Sequence, residues 1–145
     1  QVEKQKLAKE RKRKAKQEKE RLRKWDERLL LRYSQVSEIV KSKSRALSVI
    51  DVAIRLNRNN LSRLKTDIEV QQKEAAEIER KGEQLSETRK ATLIAFKNEL
   101  QLVIDTIDRR EKEKVTVAED YDADIERFEM LRERLDTYNN RQQGR

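Results

Sequence analysis

Asp120, Asp122 and Asp124 alternate along the chain with the spacing that opens a calcium-binding EF-hand loop. That loop needs Gly at its sixth position for a sharp turn and a bidentate Glu at its twelfth. Here those positions hold Ile125 and Leu131, so the three carboxylates read as a solvated acidic helix face. The chain has no histidine and no cysteine, which removes the commonest neutral-pH general base, the commonest metal ligand, and all thiolate and disulfide chemistry. No phosphate-cradling glycine loop and no nucleophile–base pair is present, so the sequence predicts no enzyme, no cofactor and no metal. Asn60-Leu61-Ser62 matches a glycosylation acceptor by chance, since Leu61 belongs to an apolar seam. Ser42, Ser44 and Ser48 stand near Lys and Arg as basophilic-kinase substrates do, and a phosphate there would weaken nearby apolar packing.

Cations are the other chemistry-bearing residues. Residues 1–28 hold 13 Lys and Arg against 6 Asp and Glu, whereas residues 65–145 hold 16 against 20. Such segregation governs association and orientation. Arg11, Lys12, Arg13, Lys14, Lys16, Arg21, Arg23 and Lys24 are the candidate polyanion-binding residues of this arm. Trp25 and Tyr33 are the only aromatics nearby, too few for a single-strand stacking platform. Val2, Leu7 and Leu22 are the only sizeable aliphatics of residues 1–24, so the strong apolar face of a membrane-surface helix is missing.

The elements that carry these residues are helices. The chain has no proline and two glycines, where ordinary usage would give roughly seven and ten in this length. Proline and glycine stop helices and make turns, so their absence favours long helices over repeated reversals. With 44% charged and 4% aromatic residues, a helix is stable here only if a narrow apolar seam meets another helix.

Such a seam begins at Tyr33. With Tyr33 at heptad position a, twelve of the sixteen a and d positions through Leu85 are apolar. The polar exceptions at d, Lys43, Asn57 and Gln71, recur every 14 residues. A second frame begins at Leu93, four residues out of phase, and keeps eleven of fourteen a and d positions apolar through Tyr138. A four-residue offset is either a stutter in one supercoiled helix or a turn between two.

The predicted fold is therefore all-α: an elongated coiled coil, either an antiparallel hairpin turning near 82–90 or one continuous helix that dimerises. Charge favours the hairpin, because folding about residue 85 sets Lys41, Lys43 and Arg45 near Glu126, Glu129 and Glu133. The expected segments are a basic helical arm at 1–28, a first coiled-coil helix at 29–81, a stutter or turn at 82–92, a second segment at 93–140 and a disordered end at 141–145.

One stretch has more apolar surface than a two-helix seam needs. Val49, Val52 and Leu56 form a second stripe beside Leu47, Ile50 and Ile54, and these six are the candidate partner-binding residues. The expected function is a structural or scaffolding coiled coil that assembles with a helical protein partner or with itself. The alternative is a basic module that engages nucleic acid, a microtubule or another acidic surface through residues 1–28. No apolar run is long enough for an integral membrane span. The start at Gln1 suggests a fragment or processed product, and an intracellular location is favoured over secretion.

Overall fold

The computed structural model describes residues 1–144, and among them the fold is all-α, with three helices and no strand. They are α1 (Val2–Arg32), α2 (Val36–Arg80) and α3 (Glu87–Gln143). The reading as one uninterrupted helix is thus corrected. The break between α2 and α3 falls where the heptad phase changes, while a second break at residues 33–35 interrupts the span expected as one helix over 29–81. α3 includes residues 141–143 of the segment expected to be disordered, and Arg145 lies outside the described residues.

Each break has a local cause. α2 ends on Gly82, whose φ of +81° is the left-handed conformation that side-chain-bearing residues avoid. The Gly82 N–H donates to the Glu79 carbonyl at 2.9 Å and the Glu83 N–H to the Ile78 carbonyl at 3.2 Å. This pair of bonds is a Schellman termination, and it satisfies carbonyls left over by the last turn. Ser86 then starts α3, its Oγ accepting from the Arg89 N–H at 3.1 Å. A stretch poor in loop residues thus needs only one Gly to stop a helix and one Ser to begin the next. Gly82 is thus the helix stop of α2.

At the earlier break Tyr33 is extended (φ −126°, ψ 141°), and its N–H still donates to the Leu29 carbonyl at 2.9 Å. Glu38, in the first turn of α2, reaches back to accept from the Ser34 N–H at 3.1 Å and the Ser34 hydroxyl at 2.6 Å. Those bonds hold the pKa of Glu38 below the usual carboxylate range, the hydroxyl bond contributing most. A carboxylate near a helix N-terminus also opposes the positive end of the helix dipole.

The chain forms two compact units, Gln1–Lys43 with Glu119–Arg145, and Ser44–Ala118. In the Ser44–Ala118 unit, α2 and α3 pack against each other as antiparallel partners. Glu74 pairs with Arg89 at 2.8 Å, Arg58 with Glu111 at 2.6 Å and Asp51 with Lys114 at 2.7 Å, so position falls along α2 as it rises along α3. Ile50, Ile54, Leu64, Ile68, Ala75 and Val103 are buried there, every one an a or d residue. In the other unit Leu29 and Tyr33 near the end of α1, Ile39 of α2 and Phe128 of α3 form a buried cluster. Trp25, Val36, Tyr121 and Ile125 pack around it.

Candidate functional surfaces

The six candidate partner-binding residues divide between two faces of α2. Ile50 and Ile54 are each 5% exposed and Leu47 is half-buried, all turned to the contact with α3. Val49 is 72% exposed, Leu56 62% and Val52 43%. Seven-residue spacing puts Val49, Leu56 and the exposed Val70 on one line along the helix, with Val52 beside it. This outward line stands clear of the α2–α3 contact.

The three polar d residues each have a partner. Lys43 Nζ meets Asp122 at 2.6 Å. Gln71 Oε1 accepts from Arg89 at 3.2 Å, beside the Arg89–Glu74 pair. Asn57 Nδ2 donates to the Ala53 carbonyl of its own helix at 2.8 Å. The Lys43 contact corrects the register expected for a fold about residue 85. Its partner is Asp122, not Glu126 or Glu129, because Gly82 stops α2 early and the reversal is centred before residue 85. On α3 the polar d residue Arg110 reaches Glu113 at 2.8 Å, while its buried Nε has no hydrogen-bond partner among the described residues.

Near the end of α1, side chains make contacts that spacing alone did not reveal. The Trp25 indole N–H donates to Asp124 Oδ1 at 2.7 Å, and Arg28 lies 3.4 Å from the same oxygen. Arg127 grips Asp26 with two bonds, of 2.6 and 2.9 Å, which raises its already high pKa. The Arg127 guanidinium also sits over the Trp25 ring at 5.7 Å. Asp122 and Asp124 are thereby engaged by Lys43, Trp25 and Arg28, and residues 120–131 lie inside α3. The three carboxylates lie on a helix, as expected, but Asp124 is half-buried and bonded rather than solvated. The signal available in the sequence was Trp25 itself, a lone large aromatic with a polar N–H that must find an acceptor when buried.

The basic arm is helical and exposed throughout residues 2–21. Its helix is supported by neighbouring pairs: Glu18 with Arg21 at 2.6 Å, Glu20 with Arg23 at 2.7 Å and Glu27 with Arg23 at 3.1 Å. These bonds, more than nearby charge, lower the pKa of Glu18 and Glu20. Glu20 gives both carboxylate oxygens to the fork of Arg23. The run Arg11-Lys12-Arg13-Lys14 does not form one surface. Successive residues turn by about 100°, so these four cations point around the helix. Arg21 stacks over Trp25 at 5.8 Å, at the edge of an open cleft that also includes Lys24 and Arg28.

Comparison with protein families, curated proteins and solved structures finds no match for this chain. Among the described residues no helix is long and apolar enough to cross a membrane.

Proposed function

We propose that this chain is a non-catalytic scaffold, a coiled-coil segment that assembles with another helix through the outward line of α2. The observation that carries the reading is the division of α2 into two apolar faces. Ile50, Ile54, Leu64 and Ile68 are used up against α3, while Val49, Val52, Leu56 and Val70 remain exposed. An amphipathic helix that is apolar on two sides is ordinarily sandwiched between neighbours. Further support comes from the knob positions of both helices, whose repeat of seven matches what a supercoiled pair requires. The occupant of the line is a helix in a second copy or in another protein.

Sedimentation equilibrium of the full chain tests self-association. Replacing Val49 and Leu56 with Glu should return an assembled chain to its monomer mass of 17.4 kDa while leaving helicity unchanged. A Glu at the exposed Ser62, on a different face of α2, should not. A chain that is monomeric at every concentration counts against self-association and leaves only a different polypeptide as partner.

A further inference from the structure

We infer that one face of the α1 arm is a docking surface for duplex nucleic acid, held through its phosphates without sequence reading. With the arm a single helix, the cations sort by direction. Lys9, Lys12, Lys16 and Lys19 follow one another at spacings of three, four and three, and so form one line. Lys6 and Arg13 lie on the neighbouring edge, about 100–140° from Lys12 and Lys19, with Lys9 and Lys16 between the two edges. Over residues 6–19 this face carries these six cations; Glu18 falls on the far side, while Glu10 borders the edge formed by Lys6 and Arg13. All six are exposed. Of them only Arg13 has a carboxylate within reach, Glu10 at a long 3.9 Å.

Two cationic edges along one helix suit a partner with two rows of anions. A duplex groove offers that arrangement: its major groove is about 12 Å wide, and a helix with its side chains is about 10–12 Å across. The face is about 20 Å long at 1.5 Å per residue, enough to follow several phosphates. Leu7 points away from this face, so it has no apolar anchor for a bilayer. It also has no aromatic side chain on which unpaired bases could stack. This surface is separate from the outward line of α2, and its failure would leave the scaffold reading untouched.

The test uses the full chain and a short fluorescent DNA duplex of arbitrary sequence, followed by anisotropy. Two variants lose the same charge from different sides: Lys9, Lys12 and Lys16 to Gln, and Lys4, Arg11 and Lys14 to Gln. Gln is nearly as good a helix former as Lys, and circular dichroism checks that both arms stay helical. Wild-type affinity should fall about 10³-fold between 50 and 200 mM salt if six phosphates are engaged. The first variant should bind about 10²–10³-fold more weakly near 0.1 M salt, and the second less than about 10-fold, since it loses long-range attraction alone. Equal losses would overturn the assignment, as would absence of duplex binding at low salt. Tighter binding to phosphatidylserine vesicles or to polyglutamate than to the duplex would also overturn it, giving the arm to a lipid or an acidic protein.

Discussion

Ile54 and Val52 lie two residues apart on α2 and should respond very unequally to the same change. Ile54 is 5% exposed and packs in the contact with α3, whereas Val52 is 43% exposed and faces outward. Ile54→Asp forfeits the burial of a large aliphatic, about 1.5–3 kcal/mol, and puts a charge into an apolar contact. The combined cost should be at least about 3–5 kcal/mol. Whole domains are stable by only about 5–15 kcal/mol, so this one change should largely unfold α2 and α3 over residues 44–118. Val52→Asp leaves the charge in water. Asp and Val have similar helix propensity, so the cost should stay below about 1 kcal/mol. Urea unfolding followed by far-ultraviolet circular dichroism, at concentrations where the chain is monomeric, reads both values. Equal destabilisation by the two substitutions would show that α2 does not divide its faces in this way.

Other perturbations probe the remaining structure. Trp25→Phe removes the indole donor to Asp124 and should cost about 0.5–1.5 kcal/mol, measured by thermal unfolding, with Asp124→Asn in the same background adding little. Asp26→Asn and Arg127→Met should show a coupling of about 1–3 kcal/mol in a double-mutant cycle, because their forked bond is partly shielded from water. Gly82→Ala meets no steric neighbour but forces a side chain to a φ of +81°, so it should cost about 1–2 kcal/mol and lower Tm by several degrees. Glu38 has a lowered pKa, so its contribution is present above the unfolded carboxylate range and is lost as pH falls through its own folded value. Carboxyl titration by NMR should place Glu38 below an ordinary Glu, and Ser34→Ala should move it back up.

The heptad frames made the helical content and much of the buried set legible, because a narrow seam in a highly charged chain leaves few other positions for Ile, Leu and Phe. The four-residue phase offset before Leu93 located the reversal, but its register depended on where the Schellman bonds end α2. The break at residues 33–35 was hidden because Tyr33 is apolar and in phase with the seam of α2. The extended backbone of Tyr33 and the bonds of Ser34 with Glu38 mark the end of α1 there. The two stripes of α2 were both visible in the spacing. The heptad frame put Ile50 and Ile54 in the seam and left Val49, Val52 and Leu56 outside it, which is how the exposures fall. In the arm, consecutive cations stand out by adjacency, whereas a helix groups residues three and four apart.

The measurement that bears most directly on the scaffold reading is photo-crosslinking from position 52 in cells that express the full chain. A photoreactive amino acid replaces Val52, and a control carries it at the exposed Lys65. The scaffold account predicts an adduct from position 52, absent from position 65, that mass spectrometry maps to a helical segment of a second polypeptide or a second copy. It also predicts that Val49→Glu with Leu56→Glu abolishes the adduct. Position 52 giving no adduct beyond the control would contradict the claim that this face of α2 is covered by another helix.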